Sequence, residues 1–178
     1  NKVILPINNS GIIADVYVQG ISPGGVYDEK SFLFSGGFFL SGYIGDSLWA
    51  NAMASASRIE DYQPGIVGAD PENPLNKIYV VKSSDTPFGE SWQNWSDAVQ
   101  LGADFYDGNN DGIYNPVDLN GNGVWDLNED RPDLLGDLTA WCVYNDGVAD
   151  TFRRFKVPPQ GIEIQQTLFA NYPSNNQI

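Results

Sequence analysis

Phe38-Phe39-Leu40-Ser41-Gly42-Tyr43-Ile44-Gly45-Asp46-Ser47-Leu48-Trp49-Ala50 decides the fold class. Two apolar, aromatic runs flank Gly45-Asp46. A two-residue turn with glycine first suits the type II′ geometry, whose twist matches that of paired strands. The stretch therefore predicts an antiparallel hairpin.

Reading outward, the same signals recur. Ser31 to Leu40 is an apolar run broken by Gly36-Gly37. Gly11 to Gly20 alternates Ile12, Ala14, Val16 and Val18 against Ile13, Asp15, Tyr17 and Gln19, the period of a half-buried strand. Residues 50 to 58, rich in Ala and Ser, read as a small-residue strand. Gln63 to Asn76 carries Pro and Gly punctuation and reads as a loop. Lys77 to Lys82, Leu138 to Tyr144 and Gly161 to Tyr172 read as further strands. One helix is predicted over about 90–101, with Trp92, Trp95 and Val99 on its apolar face and Gly102 as its stop. These elements predict a mainly β chain, an antiparallel β-sandwich-like single domain spanning 1–178. Residues 1–10, with the apolar Val3-Ile4-Leu5 and the Gly/Asn-rich turn Asn8 to Gly11, read as an N-terminal arm. Such an arm either starts the chain's own sheet or adds a strand to a neighbour.

Composition narrows the function. The 178 residues hold 23 acidic and nine basic side chains, a formal charge of -14. Such acidity disfavours nucleic acid and anionic membranes as partners, because their phosphates are bound by Lys and Arg clusters. No apolar run reaches the ~18 residues of a membrane span. The chain has no histidine, which removes His-based nucleophile activation and the usual zinc and copper sites. Its single cysteine, Cys142, forms no intrachain disulfide and sits in an apolar strand as a core thiol. A secreted domain without disulfides needs another staple, and bound metal is one.

That staple has a candidate. Asp107, Asn109, Asp111, Gly112, Ile113, Asn115 and Asp118 occupy positions 1, 3, 5, 6, 7, 9 and 12 of a calcium loop. Alternate side chains of a tight turn point inward, the Ile113 carbonyl adds an oxygen, and Gly112 permits the bend. The pattern repeats from its own last residue, with Asp118, Asn120, Asn122, Gly123, Val124 through its carbonyl, Asp126 and Glu129. Tyr114 and Trp125 both stand at position 8. The predicted cofactor is calcium, as one ion or two, with Asp118 shared between the loops; Asp130 and Asp133 stand open between further oxygen donors and ion-pair partners of Arg131. Residues 104–133 form the calcium-binding insertion. Pro116 blocks an exit helix, so these are not helix-loop-helix hands. They resemble the helix-poor loops of dockerin and thrombospondin type 3 repeats. The bland alternative is a polar surface loop rich in Asn, Gly and Asp.

Further motifs carry a second resemblance. Ser91-Trp92-Gln93, Trp95, Asp97-Ala98-Val99, Phe105-Tyr106-Asp107-Gly108 and Tyr114-Asn115-Pro116 are joined by Gly136-Asp137, Trp141-Cys142-Val143-Tyr144-Asn145-Asp146-Gly147 and Gly161-Ile162-Glu163. With Gly42-Tyr43 and Trp49-Ala50-Asn51, this set resembles the N-terminal region of large secreted bacterial surface proteins exported by the type IX secretion system, over about 35–172. The resemblance implies export, a β-rich ectodomain and, in the whole protein, a C-terminal sorting domain. It implies no activity. Asp46-Ser47-Leu48 is similar to the O-glycosylation signal of bacteria that use this route, which makes Ser47 the candidate glycosylation residue. Asn8 and Asn94 begin N-glycosylation sequons.

The expected function is an extracellular, calcium-stabilised structural protein of the cell surface, a subunit of a self-assembling filament or surface fibre. Its expected partners are copies of itself, and glycans. The alternative is a carbohydrate-binding or adhesive module, with Tyr27, Trp49, Tyr62 and Tyr106 stacking on sugars. No enzyme is expected: without histidine only a carboxylate pair could act, and Glu29, Glu60 and Glu163 lie in no distinctive motif.

Overall fold

The computed structural model describes residues 3–17, 19–53, 61–153 and 156–172. Its elements run β1 (Val3–Ile4), β2 (Gly25–Tyr27), β3 (Lys30–Leu33), β4 (Phe39–Ile44), β5 (Ser47–Ala52), β6 (Gln63–Pro64), β7 (Tyr79–Lys82), α1 (Glu90–Gln100), β8 (Phe105–Tyr106), β9 (Arg131–Pro132), β10 (Leu138–Asn145), a 3-10 turn (Asp150–Phe152) and β11 (Glu163–Ala170). Among the described residues the fold is mainly β, with antiparallel sheets and one α-helix. Two compact units share the chain, Asn1–Asn76 with Val143–Ile164, and Lys77–Cys142 with Gln165–Ile178. The chain passes from one to the other after Asn76, within β10 and again within β11.

In the first unit β1, β2 and β3 form a three-stranded sheet, with Val3 opposite Tyr27 and Ile4 opposite Val26. The N-terminal arm thus begins its own sheet. The hairpin forms as the sequence predicts: Phe39 faces Ala52, Tyr43 faces Leu48, and Gly45 turns with φ +57°. Glycine is needed there because L side chains disfavour a left-handed first turn residue. Gly37 lets the approach to the hairpin lie on the Met53 main chain, where a Cβ would collide with the carbonyl. Trp49, Met53, Tyr62, Tyr144 and Ile12 are buried, and the Tyr62 ring meets Phe38 edge-on at 5.1 Å and Tyr144 at 6.0 Å. Each large apolar side chain so buried contributes roughly 1.5–3 kcal/mol. Burial pushes the Tyr62 hydroxyl up to about 12. The buried Arg153–Asp146 pair, at 3.7 Å, is anchored by Gln160 and Ile162 amides that donate to the Asp146 carboxylate.

Gly11 to Gly20 is not a strand among its described residues. Only Ile13 makes β-bridges, to Ile7 and Gly36. Ala14 has φ +73° and Gly11 φ +87°, which interrupt the extended backbone. The Asn8 side chain supplies the reason: its Oδ1 accepts from the Ser10 and Ile12 amides and winds the segment into a turn. The expected strand over 50–58 holds through Ala52; residues 54–60, Glu60 among them, lie outside the described residues.

In the second unit β10 pairs with β7, Trp141 opposite Tyr79 and Leu138 opposite Lys82. The helix starts with acidic Glu90, favourable at the positive end of the helix dipole, and ends before Gly102 at φ +107°. Trp92, Trp95 and Ala98 form its buried face, with Val99 half-buried beside them. Cys142 is buried, and burial pushes its thiol up to about 12, as suits a core side chain.

Candidate metal centre

The acidic segment hangs between β8 and β9, which close its base by pairing Phe105 with Pro132 and Tyr106 with Arg131. Successive residues of β8 point to opposite sides, and each holds one loop. Phe105 packs edge-on against Tyr114 at 5.2 Å, and Tyr106 against Trp125 at 5.4 Å. These two partners are the position 8 residues of the two predicted loops. The first loop is tied further to α1, where the Tyr114 hydroxyl donates to the Trp92 carbonyl at 2.8 Å and Gln93 Nε2 donates to the Pro116 carbonyl at 3.0 Å. Burial, with Asp130 nearby, pushes the Tyr114 hydroxyl far up, so it stays protonated and donates. The Arg131 guanidinium covers the Trp125 ring at 4.4 Å.

Within the loops the same bonds occur twice. Asp107 accepts from the Asp111 and Gly112 amides; Asp118 accepts from the Asn122 and Gly123 amides. Asn109 Oδ1 accepts from Asp111 as Asn120 Oδ1 does from Asn122. Asp111 accepts from Ile113 as Asn122 does from Val124. Positions 4 and 6 are left-handed in both, at +60° and +76° for Asn110 and Gly112, and +73° and +75° for Gly121 and Gly123. The amides of Gly123 foremost, then Gly121, Asn122 and Asn120, hold the Asp118 carboxyl below the usual carboxylate range.

The loops differ in how they close. Glu129, 2% exposed, accepts from the Leu119 amide at 2.7 Å and the Asp126 amide at 2.9 Å, positions 2 and 9 of the second loop. In the first loop the corresponding amides, Gly108 and Asn115, donate to Asp130 at 3.0 and 2.8 Å. Asp130 is likewise 2% exposed. The sequence assigns Asp118 to both loops; in the structure its carboxylate accepts from the Gly121, Asn122 and Gly123 amides of the second, and Asp130 takes the closing place of the first. Asp133 lies elsewhere, its carboxyl raised by burial and by Asp104.

The predicted donors of each loop converge. Asn120 and Asn122 both donate to Asp126 Oδ2, at 2.7 and 3.1 Å, and Asn109 donates to Asp111 at 2.9 Å. Among the described residues no group of three or more His, Cys, Asp or Glu side chains gathers tightly enough to form a metal cluster on its own. A metal here depends on mixed sets, in which carboxylates share the work with Asn amides and the Ile113 and Val124 carbonyls. Gly108 is a structural residue the spacing does not announce. A Cβ on it would lie 2.4 Å from the Glu129 nitrogen, so the two halves of the segment meet there main chain to main chain.

The residues proposed for other roles scatter. Trp49, Trp92, Trp95 and Trp141 are buried, Tyr62 is buried, and Trp125 is half-buried under Arg131. Trp49 and Tyr62, expected near turns as sugar platforms, instead fill the core. Tyr27 and Tyr106 remain exposed. Glu163 is exposed and accepts from the Val67 amide, while Glu29 sits in a turn at φ +65°. Ser47 is exposed. No helix among the described residues is long and apolar enough to cross a membrane. Comparison with protein-family models, with curated proteins and with solved structures finds no match to this chain.

Proposed function

We propose that the segment holds two calcium ions, one in each loop, and that they staple an extracellular structural module of a bacterial surface. The observation that carries this reading is the duplicated loop, each copy closed by a buried carboxylate. Asp107, Asn109, Asp111, the Ile113 carbonyl, Asn115 and Asp130 serve the first ion. Asp118, Asn120, Asn122, the Val124 carbonyl, Asp126 and Glu129 serve the second. Six oxygen donors with three carboxylates, and no nitrogen or sulfur, suit a hard ion that takes 6–8 oxygens. Such a set at moderate charge suits the millimolar calcium outside cells. The antiparallel sheets then form a sandwich-like domain, with 104–133 as its calcium-binding insertion. The secretion-type motifs and the absence of histidine support export and a structural role, and Ser47 on the hairpin turn is open to a glycan.

Calorimetric titration is expected to give two calcium ions per chain. Ions that bind only the folded form stabilise it by about 2.7 kcal/mol at a hundredfold excess over the dissociation constant. Chelation therefore lowers the melting temperature. No binding at millimolar calcium, or an unchanged melt after the metal is shown to be gone, would overturn the reading.

A further inference from the structure

The chain holds two Asn-Gly pairs, Asn120-Gly121 and Asn122-Gly123, and both lie in the second loop. All four residues are exposed. Such a pair carries its own chemistry. The glycine nitrogen attacks the asparagine Cγ, because no side chain on the glycine hinders the approach. A bond forms from that nitrogen to Cγ, the bond from Cγ to the side-chain nitrogen breaks, and ammonia leaves. Water then opens the succinimide at either carbonyl, giving aspartate or isoaspartate. One water is consumed and one ammonia released, with no electron transfer.

The folded loop restrains both partners of that reaction. One carboxylate holds both nucleophiles: Asp118 Oδ1 accepts from the Gly121 amide and Asp118 Oδ2 from the Gly123 amide, each at 2.7 Å. One oxygen holds both leaving groups: Asp126 Oδ2 accepts from the Asn120 side chain at 2.7 Å and from the Asn122 side chain at 3.1 Å. The asparagine oxygens are engaged too, Asn120 Oδ1 by the Asn122 amide and Asn122 Oδ1 by the Val124 amide. Attack therefore needs an opened loop. Asp118, Asp126 and Glu129 set three like charges about it, and their repulsion favours opening when no cation offsets it.

We propose that Asn120 and Asn122 are self-deamidating sites whose rate calcium sets, slow while the second loop holds its ion and fast once the ion leaves. The inference rests on the reading of the second loop as a calcium site. The sister loop shows what the change does. Asn122 stands at position 5, where the first loop has Asp111. Deamidation to aspartate copies that residue and adds a carboxylate to the second set. Isoaspartate instead puts an extra carbon into the main chain and displaces every donor that follows. The first loop has no Asn-Gly pair. A module that has lost its calcium is thus marked in one loop and spared in the other.

Peptide mass spectrometry tests this on the full chain, incubated at mildly alkaline pH in calcium or in chelator, with calcium binding titrated on the same preparation. A reaction confined to the ion-free loop slows with the ion-free fraction, so a hundredfold excess of calcium over the dissociation constant slows it about a hundredfold. The expected result is conversion at Asn120 and Asn122 in chelator, suppressed by calcium with the midpoint of the titration. Asn109 and Asn110, exposed in the first loop with no glycine after them, stay intact over the same period. Equal rates in calcium and chelator, with the ions shown to bind, overturn the inference and leave the calcium reading standing. A titration without binding overturns the reading and the gating with it. Conversion of Asn109 and Asn110 as fast as of Asn120 and Asn122 also overturns the inference, because general unfolding would then set the rate.

Discussion

The first and second loops of the acidic segment share a backbone course, a left-handed position 4 and 6, and a position 8 aromatic seated on β8. They part at the closing residue. The second loop closes on Glu129, at its own twelfth position, while the first reaches past the whole of the second to Asp130. Side chain-to-amide bonds of short range set the course of each loop, so both could be read from spacing. Closure of the first is long-range and depends on β8 pairing with β9, which brings residues 107 and 130 together. A repeated local pattern need not be closed by a repeated local residue.

Removal of each closing carboxylate is expected to have the largest effect. Glu129→Ala leaves the Leu119 and Asp126 amides without their acceptor at a part-buried site and opens a cavity where a buried carboxylate stood; Asp130→Ala does the same to Gly108 and Asn115. Each unmet group costs about 1–3 kcal/mol, so either variant is expected to lose about 2–4 kcal/mol. In calcium titration Glu129→Ala loses the second ion and Asp130→Ala the first, each retaining one. If either variant lost both ions, the loops would act as one site and the two closures would be interchangeable parts of it.

What the sequence made legible follows the same division of range. The hairpin was readable because Gly45-Asp46 and the flanking alternation are local. The helix was readable from Trp92, Trp95 and Gly102. The alternation of Gly11 to Gly20 does not register the Asn8 side chain capturing two amides, nor the left-handed backbone at Ala14. Trp49 and Tyr62 were misjudged because nearness to a turn says nothing about which face of the sheet is covered. Asp130 stood among the candidate donors without its place, and Gly108 without its reason, since both depend on chain segments far apart in sequence. The two-unit division was hidden only in part: the chain changes unit once at the end of the Gln63–Asn76 loop, and twice more inside strands, where composition gives no signal.

A smaller effect tests Asp118. If it bridged both ions, Asp118→Ala would abolish both binding events. The structure directs its carboxylate to Gly121, Asn122 and Gly123, so only the second is expected to go. Acid makes the same point without mutation. The folded carboxyl sits below its unfolded value, so its contribution is full above the ordinary range near about 3.9 and is lost as pH falls through the lowered value. Amide exchange at Gly121 and Gly123 should stay slow through the ordinary Asp range and quicken below it. In Asp118→Asn this acid step should be gone. Quickening already at the ordinary range would show that the amides do not hold the carboxylate.

The smallest difference lies at position 4, where the loops share a conformation and differ in residue. Asn110 has φ +60° and Gly121 φ +73°. No atom stands within 4 Å of a Cβ built on Gly121, so a substitution there meets backbone strain and no collision. Left-handed backbone costs an ordinary L residue about 1–2 kcal/mol, Asn less, and glycine little. Gly121→Ala is therefore expected to cost about 1 kcal/mol, and Gly121→Asn only a few tenths, because Asn110 already holds that conformation in the sister loop. Asn110→Gly should leave stability within about half a kcal/mol, the relief of strain being offset by the greater freedom of glycine in the unfolded chain. Denaturant melts of the three variants, with calcium held saturating, would read these values. Equal losses for Gly121→Ala and Gly121→Asn would mean that the second loop demands glycine for a reason other than its dihedral angle, such as the approach of a partner. The likeness of the two loops would then stop at their backbone.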